Sequence, residues 1–179
     1  MKAFALTLVL GCLLIAFAQE KKEIEKLAPY YPTPETVVEK MLEIGGLKKG
    51  EKMFDLGSGD GRVVIMAAQK FGADATGVEF DESLYKQSMA KIASLGLNGR
   101  ARIIFGDIMA QDYSSADLLT VYLLPGSNDK IRPMLEKQLK RGARVVAHDF
   151  MFSDWNPEKT ITIEDDGEGR SHTIFLYRR

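Results

Sequence analysis

Three glycines at alternate positions, Gly57, Gly59 and Gly61, separate the apolar run that ends at Leu56 from the apolar helical run that follows Arg62. Ser58 lies inside this loop, and two carboxylates, Asp55 and Asp60, bracket it. Glycine tolerates left-handed backbone and lets N–H groups approach a ligand closely, and a helix N-terminus adds a favourable dipole for polar groups. The spacing then selects among ligands. A dinucleotide loop reads G-x-G-x-x-G and leaves room for a pyrophosphate; here the third glycine comes one residue sooner and the flanking carboxylates repel phosphate, which argues against an NAD-dependent oxidoreductase. No Gly-Lys-Ser/Thr follows, so a phosphate-binding P-loop is excluded. The same carboxylates suit a ligand that carries positive charge.

Two further acidic residues follow at strand-like ends. Glu79 comes 22 positions after Gly57, where an acidic side chain accepts both hydroxyls of an adenosine ribose. Asp107 closes Phe105-Gly106-Asp107-Ile108, placed to accept from an adenine amino group, while Phe80 and Ile108 offer apolar faces to the ring. Each acid alone has a plain reading as a solvated strand terminus. At the ends of three successive strands they converge on the crevice where open α/β sheets bind ligands. An adenosine that carries ammonium and sulfonium groups, as in S-adenosylmethionine, meets all of these requirements.

The elements that must position these residues alternate strand and helix in short, punctuated units, the pattern of one α/β domain over 19–179. A polar helix is expected over 20–27, then an extended stretch, Ala28-Pro29-Tyr30-Tyr31-Pro32. Thr33-Pro34 reads as N-cap and first helical position, with Val37, Val38, Met41 and Leu42 on one apolar face and Gly45-Gly46 as the stop. Strands are expected over 52–56, 75–79, 101–105, 118–123 and 144–148, with helices over 62–71, from Asp81 to Gly96, and from Pro125 to about Arg141-Gly142. Two last strands, 160–164 and 172–177, flank a hairpin loop over 165–170.

Composition removes other chemistries. The 179 residues carry 24 Lys plus Arg against 25 Asp plus Glu, a net charge of -1, so no basic field exists for nucleic acid. One cysteine and two histidines are too few for a disulfide framework or a closed zinc site, and no metal is expected. Residues 3–18 are apolar or small apart from Thr7, a run shorter than the ~20 residues of a comfortable membrane span, and Ala16-Phe17-Ala18 offers a signal-peptidase site. Cleavage after Ala18 leads. A lipoprotein signal at Cys12 and an uncleaved anchor stay open; Lys21, Lys22 and Lys26 would hold the domain behind such an anchor in the cytoplasm. The protein is thus expected to be exported or membrane-associated.

From about Tyr30 to Arg179 the sequence resembles the class I S-adenosylmethionine-dependent methyltransferases, with Asp55 to Gly61 similar to their first motif, Glu79 to their ribose acid and Gly106-Asp107 to their adenine motif. The resemblance implies a doubly wound, Rossmann-like α/β fold: a seven-stranded sheet in the order 3-2-1-4-5-7-6 with the last strand antiparallel. Only about ten residues, 151–159, separate the fifth strand from the hairpin, so the helix usual there is missing. A narrower resemblance is to the protein-lysine methyltransferases related to the ATP synthase c-subunit lysine methyltransferase. It rests on Tyr31-Pro32-Thr33-Pro34, Asp55-Leu56-Gly57-Ser58-Gly59-Asp60-Gly61-Arg62, Val121-Tyr122-Leu123-Leu124-Pro125 and Arg144-Val145-Val146-Ala147-His148-Asp149-Phe150. That resemblance implies that Tyr31 and Thr33 close over the methionine end of the cofactor and that Tyr122 and Asp149 line the acceptor side. Its partner would be a protein with an accessible lysine, a small membrane protein being one class.

Methyl transfer is an in-line displacement that depends on holding donor and acceptor ~3–3.5 Å apart, and it needs no metal. A lysine ammonium, with a reference pKa of ~10.4, must first lose its proton. Tyr122 and Asp149 are the candidates to orient that amine or take the proton. Against this stand plain roles, Tyr122 in packing and Asp149 as a loop cap. His148 reads as a strand residue, and Trp155 as either an acceptor-site lid or a cover for the sheet edge. A small-molecule methyltransferase and a non-catalytic, exported binding protein remain alternatives that the fold alone does not separate.

Overall fold

The computed structural model describes residues 26–179; the apolar segment over 3–18 and most of the helix expected over 20–27 lie outside the described residues. A seven-stranded sheet runs in the order β3-β2-β1-β4-β5-β7-β6, as the family resemblance implies. The strands are β1 (Lys52–Leu56), β2 (Asp74–Glu79), β3 (Ala101–Phe105), β4 (Leu118–Val121), β5 (Arg144–His148), β6 (Lys159–Ile163) and β7 (His172–Arg178). The first five pair in parallel, and β7 is antiparallel to both β5 and β6. The chain leaves β1 toward β2 on one side and reaches β4 on the other, so a crevice opens at the carboxyl ends of β1 and β4.

Successive residues of a strand face opposite sides of the sheet, and the sequence fills both. Met53, Leu118 and Val146 join one core with helices α1 (Glu35–Ile44), α2 (Arg62–Lys70) and α3 (Glu82–Ser94). Their neighbours Phe54, Leu119 and Val145 join a second core with α4 (Pro125–Gln138), Tyr113, Phe152 and Tyr177. Val37, Val38, Met41 and Leu42 are the buried face of α1, as their spacing requires. Asp81 caps α3 by accepting from Ser83 N at 2.9 Å and Leu84 N at 3.0 Å. Beyond its far end, Leu97 N returns to Ile92 O at 3.0 Å past left-handed Gly96.

Most boundaries fall within a residue or two of expectation, and the informative differences are these. Thr33 does not cap α1: Pro34 holds the cap position, and the Thr33 hydroxyl is drawn to His148 across the sheet end. Lys26 and Leu27 are not helical; they begin the extended segment, with Leu27 buried in the second core. Strand β4 stops at Val121, so Tyr122 and Leu123 lead out into the crevice, and α4 stops at Gln138 instead of near Arg141. No helix forms over 149–158, as the short spacing predicts.

Candidate active site

The β1–α2 loop is held open by its own backbone. Gly57, Gly59 and Gly61 take φ of 77°, 54° and 78°, left-handed values that a Cβ resists. Gly57 N and Ser58 N both donate to Val78 O at 3.0 Å, which pulls the loop across β2. Gly77 makes this crossing possible, since a Cβ there would meet the Ser58 side chain at 2.5 Å. The other wall is the extended segment over 26–33, whose Tyr30 ring lies 2.7 Å from where a Cβ on Gly59 would stand.

Between these walls runs one cavity, lined by Asp55, Gly57, Ser58, Gly59, Asp60, Glu79, Phe80, Asp107 and Ile108, with Tyr31, Thr33 and Tyr122. Of the residues selected from sequence, Gly61 and Asp149 alone do not line it. Gly61 instead starts α2, with a hypothetical Cβ 3.0 Å from Ser88. Asp149 stands behind Tyr122.

The carboxylates do unequal work. Asp55 is buried in mid-sheet and accepts from Thr120 Oγ1 at 2.7 Å. Burial pushes its pKa up to about 7, the charges of Glu79 and Asp60 push the same way, and the Thr120 bond opposes them. Glu79 accepts from Gly59 N and Asp81 N, each at 2.8 Å, so it braces the loop while each oxygen keeps a further lone pair. Asp60 departs from the expectation of a free charge beside the ligand. Arg62 grips it through Nε at 3.0 Å and Nη2 at 2.8 Å, and this pairing outweighs burial to hold its carboxyl below the usual range. Asp107 caps the 3-10 turn Ile108–Ala110 through Met109 N at 2.8 Å and still faces the cavity.

Where β4 runs out into the crevice, the Tyr122 hydroxyl donates to Asp149 Oδ2 at 3.3 Å, and its ring packs on His148 with centroids 3.9 Å apart. Burial, then the Asp149 charge and hydrogen bond, push the Tyr122 pKa up to about 12, so the phenol is neutral. Asp149 takes a positive φ of 57° and is fixed in it by Thr173, whose O accepts from Asp149 N at 2.7 Å and whose N donates to Asp149 Oδ1 at 2.9 Å. Asp tolerates this region better than most residues, and such outliers gather at functional sites.

Sequence reasoning missed four participants. Tyr30 and Arg62 belong to the cavity wall, and Arg62 Nη1 also donates to Thr33 O at 2.7 Å. His148 is more than a strand residue, because Nδ1 lies 3.2 Å from Thr33 Oγ1 and Nε2 2.9 Å from His172 Nδ1. Counting cysteines and histidines excluded a closed zinc site, yet the fold brings both histidines to one carboxylate. Adjacent His148-Asp149 at a strand end was the available signal. Trp155 is no lid; it packs on Phe152 and Tyr177 in the second core. Tyr31 is half exposed, and its hydroxyl accepts from Arg170 Nη1 of the hairpin loop.

The buried Ser58 Oγ has no hydrogen-bond partner among the described residues, and five carboxylates line the same space, so the cavity fits a polar, cationic nucleoside. Known proteins agree. The chain is 43% identical over 83% of its length to a protein-lysine N-methyltransferase of Saccharolobus islandicus, covering 92% of that protein. It is 31% identical, again over 83%, to the ATP synthase c-subunit lysine N-methyltransferase of Rattus norvegicus, of which it spans 65%. A solved RNA methyltransferase of Salinibacter ruber, in complex with S-adenosyl-L-homocysteine, superposes with TM-score 0.78 at 38% identity, covering 83% of this chain and 93% of that one. Residues 55–159, which carry the glycine loop and the Tyr122–Asp149 pair, match the model of the ANTKMT methyltransferase domain. The chain belongs to that family, a family of S-adenosylmethionine-dependent methyltransferases.

Proposed function

We propose that this methyltransferase acts on the side-chain amine of a lysine in a protein, and that a small membrane protein is the fitting class of substrate. The observation that carries the reading is the Tyr122–Asp149 pair at the edge of the cofactor cavity. Two similar proteins are named as lysine methyltransferases, one of them for the c-subunit of ATP synthase. When bound, S-adenosylmethionine supplies an electrophilic methyl group on a sulfonium. Asp55 would face its charged end, with Asp60 held back by Arg62; Glu79 would face its ribose, and Asp107, Phe80 and Ile108 its base, with Tyr31 and Thr33 as the wall over the methionine portion.

The remaining task of the chain is to hold an uncharged amine in line. Because the Tyr122 hydroxyl donates to Asp149, its oxygen keeps lone pairs to accept an amine N–H. Asp149 acts through Tyr122 as a positioning group. The stretch over 149–158 carries no helix, which leaves the acceptor side open to a side chain presented by a large partner. If it is retained instead of cleaved, the apolar run over 3–18 would tether the domain to the membrane on the side that supplies the donor.

The test is to incubate the full chain with methyl-tritiated S-adenosylmethionine and a membrane fraction of the source cell. Label in a protein band, placed by tandem mass spectrometry on a lysine ε-amine, is the expected result. Ribonuclease-sensitive label, or label confined to small molecules, refutes it. Sequencing the mature N-terminus decides the tether: Met1 retained in the membrane fraction supports an anchor, and a start at Gln19 supports cleavage.

A further inference from the structure

Three donor atoms from two strand ends meet at one point beside the acceptor end. His148 Nε2 lies 2.9 Å from His172 Nδ1 and 3.3 Å from Asp149 Oδ2, and His172 Nδ1 lies 3.0 Å from the same Oδ2. We propose that His148, Asp149 and His172 bind one divalent transition-metal ion of the zinc to iron(II) class. The proposal does not rest on the identity of the methyl acceptor.

Proton bookkeeping shows why hydrogen bonding alone serves this triangle poorly. Only one proton fits between nitrogens 2.9 Å apart. If it sits on His148 Nε2 and points at His172, then His172 Nδ1 and Asp149 Oδ2 oppose lone pairs at 3.0 Å. If it sits on His172 Nδ1, it serves either His148 or Asp149, and His148 Nε2 opposes Asp149 Oδ2 at 3.3 Å. One edge is always acceptor against acceptor, in a place where both rings are buried. A cation at the centre turns all three lone pairs into ligands.

The spacing is that of a coordination face. With metal–ligand lengths of about 2.1 Å, neighbouring ligands stand ~3.0 Å apart in an octahedral array and ~3.4 Å apart in a tetrahedral one. Two imidazoles and one carboxylate form the set that zinc and non-haem iron(II) accept with positions left open. The outer contacts are also those of a metal site, where each ligating ring is oriented through its other nitrogen. His172 Nε2 lies 3.2 Å from the buried Asp166 carboxylate, and His148 Nδ1 lies 3.2 Å from Thr33 Oγ1. Asp149 Oδ1 is steadied by Thr173 N. None of the three ligands lines the cofactor cavity, so the ion would not meet the donor. Its effect would be to lock the end of β5 to the start of β7 and so fix Asp149 behind Tyr122.

The test uses full-length, tag-free protein, stripped with a chelator and titrated with Zn²⁺. One ion per chain, bound with micromolar or tighter affinity, is expected. X-ray absorption at the zinc edge should then show two imidazole ligands; the chain has only two histidines, so this identifies the pair without any substitution. Asp166→Asn, which removes the carboxylate behind His172, should weaken binding 10- to 100-fold, the usual scale for an outer partner of a ligating histidine. No saturable binding up to millimolar Zn²⁺, or a bound ion with fewer than two imidazoles, overturns the proposal, as does unchanged affinity in Asp166→Asn.

Discussion

Cofactor affinity should depend on pH through Asp55, and the size follows from its burial. With a pKa of about 7 in the folded chain, this carboxyl is largely neutral at pH 5.5 and largely ionised at pH 7.5. If the cationic donor needs the ionised form, the competent fraction rises by roughly twentyfold over that range, and the dissociation constant falls by the same factor. The range stops at about pH 7.5 because an α-amino group on the ligand titrates near 7.7–8.0. The folded pKa is raised above the unfolded value near 3.8. Stability from this group is therefore complete below about pH 4 and is lost as pH rises through about 7, a penalty on the order of 4 kcal/mol for the unliganded protein. Asp55→Asn keeps an acceptor for Thr120 and removes that penalty. Calorimetry with S-adenosylmethionine at pH 5.5, 6.5 and 7.5 should show affinity rising with proton release in the parent, and a flat profile in Asp55→Asn. Thermal unfolding of the unliganded proteins should find the variant more stable at pH 8 and equal at pH 4. A flat parent profile, or the same slope in both proteins, refutes the reasoning.

Glu79→Ala removes the acceptor for Gly59 N and Asp81 N as well as the acceptor proposed for the ribose, so S-adenosylmethionine affinity should fall about tenfold or more by calorimetry. Gly59→Ala would place a methyl 2.7 Å from the Tyr30 ring at a φ of 54°; cofactor binding should weaken, and a second change, Tyr30→Ala, should restore part of it. Tyr122→Phe and Asp149→Asn should each lower the methyl-transfer rate by roughly 10² while leaving cofactor affinity within about twofold, because that site is built on β1 to β3. Full transfer in both variants would make the pair structural.

The fold was legible because its signals are local. Alternating patterns, the Gly96 stop and the hairpin loop each follow from a few neighbouring residues, and the strand order came with the family resemblance. The cavity was nearly as legible, since a strand end announces where its next residue points: Asp55, Glu79 and Asp107 needed only the parallel sheet to bring them together. Thr33 shows where this ends. Its place before Pro34 is a sound local reason for a cap, and a partner 115 residues away overrides it. Asp60 shows the same limit, because sequence displays its charge without showing that Arg62 neutralises it. His172 opens a strand whose position beside β5 depends on the antiparallel return of β7, so adjacent His148-Asp149 marks a possible ligand pair along the chain without showing that His172 joins it.

Those missed contacts form one continuous line. Asp60 holds Arg62, Arg62 holds the Thr33 carbonyl, the Thr33 hydroxyl holds His148, and His148 and His172 hold Asp149 behind Tyr122. The glycine loop at one end and the Tyr122–Asp149 pair at the other are thus joined through the segment over 26–33 that walls the cavity. A change in the middle should therefore be felt at both ends. Thr33→Val keeps the shape and the Thr33 carbonyl but removes the hydroxyl, leaving His148 Nδ1 buried without its partner, at a cost of ~1–3 kcal/mol in stability. If the line transmits position, the variant should lose transfer rate beyond what its cofactor affinity explains. Deuterium exchange should then quicken at the amides of Asp149 and Thr173 while β1 stays protected. Loss of stability with transfer rate and exchange at Asp149 unchanged would show that the contacts are only local packing.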